Sequence, residues 1–175
     1  MAIGGCVKAC ACLAAVLLSI AAVRAADSPA VTPKKLLALG KSLADHTHYL
    51  EALDLLDEAR SLALQEGQAQ TELHADILYA LAATKIKGRL HQDFPAYYVK
   101  AALDEIQDAN RIRERLAGVL PQKMAEGYYL EGLIHKRFFM RNEQAVSCFV
   151  KAVNIDPGSV AAKRELSELV TPDEK

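Results

Sequence analysis

The 175-residue chain contains no tryptophan, and aromatic residues make up only 6% of it. Usable cysteine is almost absent as well. Cys6, Cys10 and Cys12 crowd into the first stretch, and Cys148 is the only cysteine after them. A lone later thiol cannot close an internal disulfide, so the fold must rest on its core, which roughly 150 residues can supply. There is no C-x-x-C and no C-x-x-C-H, which excludes the usual zinc-ribbon, thioredoxin and haem-attachment signatures. H-E-x-x-H, a Gly-rich phosphate loop and G-x-S-x-G are also missing. No cofactor is therefore expected, and no residue is assigned a catalytic role. Charge of either sign is not in excess: the formal balance is −1, without the basic footprint of a nucleic-acid binder. No segment alternates with period two between turn pairs, so no sheet is expected.

One long apolar run is present. Residues 1–25 read MAIGGCVKACACLAAVLLSIAAVRA, with Lys8 as the only charge before the run from Ala9 to Val23. The run is too short and alanine-rich to span a bilayer comfortably. Val23 and Ala25 place small residues at −3 and −1 of a cleavage site. This predicts a signal peptide over 1–25, cut at Ala25–Ala26, and export across the inner membrane to the periplasm. The alternatives are an uncleaved N-terminal segment that anchors the chain to the membrane, and a buried N-terminal helix. Cleavage removes Lys8 and Arg24 and no acid, leaving a formal charge of −3; no stable membrane insertion is then expected. Cys148 lies within the apolar run Val146–Val150 and reads as a small buried hydrophobe, with an intermolecular bridge as the alternative.

Residues 26–31 read as a flexible leader. Thr32-Pro33 opens a first helix, Thr as N-cap and Pro in the first turn, and it ends near Asp45–His46. A second helix runs from about His48 to Gln65, with Gly67 as a stop. A third spans Thr71 to Lys87, with Gly88 as its stop and Lys85 and Lys87 at the negative end of the dipole. The fourth runs from Asp93–Pro95 to about Ala117, the fifth from Gln122 to Phe139, the sixth from Asn142 to Ile155 and the last from Ser159 to Val170. Residues 171–175 read as a disordered tail. The expectation is an all-α domain over 32–170, built of helix pairs joined by short turns.

The pairs repeat a pattern. Leu36, Leu39, Gly40 and Leu43 on the first helix are followed by Ala52, Leu56 and Ala59 on the second, with twelve residues from Gly40 to Ala52. Small residues let two helices approach, and large ones fill the gaps between pairs. The small–large–small set returns as Ala102, Ile106 and Ala109, and again as Ala145, Phe149 and Ala152 with Pro157 closing. This pattern resembles the tetratricopeptide repeat. The copies headed by Ala52, Ala102 and Ala145 lie 50 and 43 residues apart, longer than the family's usual period of about 34. The stretch from Ala82 to Ala102 is expanded, the one from Gly132 to Ala145 carries one extra residue, placed in the turn, and the family's early tryptophan is missing. The resemblance implies a TPR-like α-solenoid of about three helix-turn-helix pairs, with the last helix as a cap; the alternative is an ordinary helical bundle.

The resemblance also implies a concave groove lined by the first helix of each pair. Its positions fall on Lys34, Leu37, Lys41, Ala44 and Asp45, then on Asp76, Tyr79, Ala83, Ile86 and Lys87, then on Leu130, Ile134, Arg137 and Phe138. Such a groove holds an extended or helical peptide, acidic groups meeting its basic points. Leu37 and Lys41 stand where chaperone-binding members carry clamp residues, which argues against a carboxylate clamp. The function implied is a non-enzymatic adaptor or assembly factor for a protein or peptide partner. The alternative is a periplasmic ligand- or metal-binding protein using Asp45, His46 and His48 in "DHTHY". Phe138, Phe139 and Met140, flanked by Lys136, Arg137 and Arg141, read as packing and an exposed turn, or as a sticky patch.

Overall fold

The computed structural model describes residues 31–170. The expected signal peptide over 1–25, all but residue 31 of the expected leader and the expected tail over 171–175 lie outside them. Seven helices follow one another: α1 (Pro33–Asp45), α2 (Tyr49–Gln65), α3 (Glu72–His91), α4 (Tyr97–Arg115), α5 (Pro121–Phe138), α6 (Asn142–Ile155) and α7 (Val160–Val170). The fold is all-α, with no strand among the described residues. No helix among them is long and apolar enough to cross a membrane. Each helix packs on the next, most extensively within the pairs α1–α2, α3–α4 and α5–α6; α3 also reaches back to α1, and α5 to α3.

The pairs meet at the small–large positions. Ala52, Leu56, Ala59, Ala102, Ile106, Ala109, Ala145, Phe149 and Ala152 are buried, as are Leu36, Gly40 and Leu43. A Cβ on Gly40 would lie 2.7 Å from Leu56 Cγ, and one on Gly132 would lie 2.6 Å from Phe149 Cε1. The first and third pairs therefore repeat one close approach, glycine against the large residue of the facing helix. In the second pair, Ala82 and Ile106 are both fully buried in one cluster. Gly132→Ala should cost about 1–3 kcal/mol by overpacking, outweighing the ~1 kcal/mol by which alanine favours a helix, because the Phe149 ring is fully buried. A urea-melt midpoint at or above wild type would show that the seam yields.

Two of the packing assignments differ. Leu39 is 39% exposed: α1 packs chiefly on α2 and less on α3, and the described helices leave its outer side uncovered. Pro157 is exposed and acts through the backbone, ending α6 just after its C-cap Asp156.

The irregular spacings also have causes. Gly88 does not stop α3, which continues to His91. The ring of Phe94 folds back onto Gly88, where a Cβ would stand 2.6 Å away, and Tyr49 meets Phe94 edge-on. The extra length between Ala82 and Ala102 thus holds an added helical turn and the loop that covers it. The extra residue between Gly132 and Ala145 is not in the turn, since three residues separate α1 from α2 and three separate α5 from α6. It sits in the end of α5, where Arg141 N–H reaches His135 C=O; at the end of α1 His48 N–H reaches Leu43 C=O, one residue fewer. Thr47 and Met140 take the left-handed conformation in these two turns, φ 67° and 55°, the C-cap geometry usually given to glycine or asparagine.

Candidate functional site

The predicted groove residues do not line one open trough. Leu37, Leu130 and Ile134 are buried. The last two belong to the cluster that also holds Leu78, Ala82 and Ile86 of α3, with Tyr79, Ala83 and Phe138 packed against it. Because α5 packs onto the α3–α4 pair, chiefly against α4, the positions expected to face a groove are interior at this seam. Phe139 joins the same cluster, and only Met140 of the aromatic turn stands well out.

Four of the charged groove positions are engaged. Lys87 Nζ donates to Asp45 Oδ1 at 3.0 Å, joining α3 to α1, and Arg137 lies 3.6 Å from Glu165 of α7. Asp76 accepts from Arg113 Nη2 of α4 at 2.8 Å and from Lys123 Nζ of α5 at 2.7 Å. Arg113 also donates to Lys123 C=O and lies 5.2 Å over the Tyr79 ring. Burial opposes ionisation of Asp76, but the hydrogen bonds from Lys123 and Arg113, with their charges, hold its pKa below the usual carboxylate value. Burial drives the Tyr79 phenol up to about 12. This is a clip across three helices rather than a free binding face. Lys34 and Lys41 remain exposed on α1.

Asp45, His46 and His48 do not converge as metal ligands. Asp45 takes the Lys87 ion pair, and His46 Nδ1 lies 2.7 Å from Ser42 C=O of its own helix.

A cavity lies elsewhere, chiefly against the second helices of the first two pairs. A cleft of about 600 Å³ opens between α2, α3 and α4, with Leu64, Leu78 and Ile112 among its walls and Arg60, Arg111 and Arg115 among its charges. Arg60 is tied to Asp57 at 2.7 Å and approaches Glu105 at 3.5 Å; Arg111 is tied to Asp108 at 3.1 Å. His74 sits at the α3 side, its Nδ1 2.7 Å from Ala69 C=O. Three guanidiniums against the single acid Asp108 on the lining give a concave surface that suits carboxylate groups. The signal available in the sequence was the pair Arg111 and Arg115, four apart on one helix face; the family groove drew attention to the other helices.

No family model matches the chain, and no curated protein matches it.

Proposed function

We propose that the chain is a non-enzymatic interaction module, exported to the periplasm, that holds a protein or peptide partner through an acidic segment. The observation that carries this reading is the arginine-lined cleft between α2, α3 and α4. Its apolar wall takes side chains of the partner, and its guanidiniums take carboxylates, with charge steering the approach. We read the scaffold as a tetratricopeptide-like solenoid capped by α7. The repeated Gly40–Leu56 and Gly132–Phe149 approaches, together with helix contacts concentrated between near neighbours along the chain, support that reading.

The test is capture from a native envelope extract, comparing the wild type, an Arg111→Glu/Arg115→Glu variant and a Lys34→Glu/Lys41→Glu variant. The expected result is a partner that is retained by wild type, weakened as salt rises, lost by the arginine variant and kept by the lysine variant. Loss in the lysine variant alone would move the partner to the face of the first helices. No salt-sensitive partner would end the acidic-segment reading.

A further inference from the structure

Glu131 and His135 stand four residues apart on α5 and so share a face, and Cys148 meets them from α6. One carboxylate oxygen, one imidazole nitrogen and the thiol sulfur lie within 4.8 Å of one another, the one such group among the described residues. His135 is 5% exposed and Cys148 8%, so this is an interior cluster rather than a surface gathering of polar groups.

Two observations mark it as more than packing. His135 Nδ1 is buried with no hydrogen-bond partner, while Nε2 faces Glu131 Oε1 at 4.0 Å, beyond hydrogen-bond distance. Buried polar atoms are nearly always satisfied, so such an imidazole points to a missing ligand. Glu131, in turn, is held from α4: Gln107 Nε2 donates to Oε1 at 3.1 Å and Asn110 Nδ2 to Oε2 at 2.9 Å. Outer partners of this kind fix the orientation of metal-binding carboxylates.

We propose that Glu131, His135 and Cys148 form a binding site for a late first-row divalent cation, Zn²⁺ in particular. The mixed oxygen, nitrogen and sulfur set suits that ion, and three protein ligands leave a fourth position for water. Metal–ligand bonds of about 2.0–2.3 Å place tetrahedral ligands about 3.5 Å apart, so the site closes by roughly an ångström around the ion through side-chain movement. Burial holds the Cys148 thiol up at about 12, so loading exchanges the S–H bond for an S–metal bond and releases one proton to solvent. The ion joins α5 to α6, with α4 behind it through Gln107 and Asn110. The proposal is independent of the acidic-partner reading, whose cleft lies among α2, α3 and α4.

The test uses the full, tag-free chain with Cys6, Cys10 and Cys12 changed to Ser, so that every thiolate signal reports Cys148. After stripping with a chelator, the protein is dialysed against Zn²⁺ and separately titrated with Co²⁺. One equivalent of Zn²⁺, a higher thermal midpoint and a thiolate-to-cobalt charge-transfer band are expected. Cys148→Ser should abolish the band, and His135→Gln should weaken Zn²⁺ binding by more than about 100-fold, the upper end for loss of a mere outer partner. A His46→Ala/His48→Ala variant should bind as wild type does. Should His135→Gln fail to fold, Glu131→Gln replaces it in the same comparison. Less than a tenth of an equivalent bound by the wild-type site, or binding unchanged in Cys148→Ser, would overturn the proposal.

Discussion

Ala145→Arg should abolish cooperative folding of the α5–α6 pair. Ala145 is fully buried and stands one helical turn before Phe149, whose ring fills the space above Gly132. Nothing larger than a methyl group fits there without parting the helices. The new guanidinium would be buried beside the Gly132–Phe149 contact, and an uncompensated buried charge costs several kcal/mol. A loss above about 4 kcal/mol is expected, against a total stability of about 5–15 kcal/mol for an ordinary domain. Gln144→Arg is the control: Gln144 is exposed, and surface changes stay within about 0.5 kcal/mol. Urea unfolding followed by far-ultraviolet circular dichroism reads both. Ala52→Arg beside Glu51→Arg repeats the comparison at the first seam. Equal stability in the buried and exposed variants would mean that the pairs do not meet where the glycines indicate.

Lys85→Met should cost about 3–5 kcal/mol. Lys85 of α3 donates to Glu105 Oε1 of α4, and both residues are buried. Glu105 Oε2 has no partner, and the other nearby cation, Arg60, lies 3.5 Å away and is part-exposed. Burial outweighs the Lys85 hydrogen bond and charge, so the Glu105 pKa is raised. Removing the lysine leaves that carboxylate in the interior without its main partner. Replacing both, as Lys85→Met/Glu105→Leu, should restore most of the loss, because a pair of apolar side chains carries no desolvation cost.

The pH dependence has a definite sign. A carboxyl whose folded pKa is raised adds stability that is complete below its unfolded value, about 4.3 for glutamate, and that is lost as pH rises through the folded value. With Lys85 gone, the folded value rises further. The deficit of Lys85→Met against wild type should therefore narrow on acidification and widen toward neutral pH. A deficit that stays constant with pH would show that Glu105 is not the group left exposed to the loss.

Helix content and order were legible in the residues, because apolar spacing, Pro33, Gly67 and Pro157 act locally. The seams were legible as well: small–large–small sets at Ala52, Ala102 and Ala145 have one economical use, the close approach of two helices. Gly88 was misleading. Glycine after lysines reads as a stop, but its missing side chain serves Phe94, which arrives from beyond the helix.

What the sequence by itself determined is the all-α class, the boundaries of seven helices to within a few residues, and which small and large residues lie in the seams. These follow from periodicity and side-chain size, which act over a turn or two of helix. The tertiary structure alone decided which polar residues became surface and which became interior. Laying α5 on the α3–α4 pair buried Leu130 and Ile134 and drew Asp76 into a clip with Arg113 and Lys123. Laying α6 on α5 brought Cys148 to Glu131 and His135, and the approach of α2, α3 and α4 gathered Arg60, Arg111 and Arg115 around one cleft. Each of these groupings joins residues from different helices. Their meeting depends on how the helices cross, and no local pattern along the chain encodes that angle.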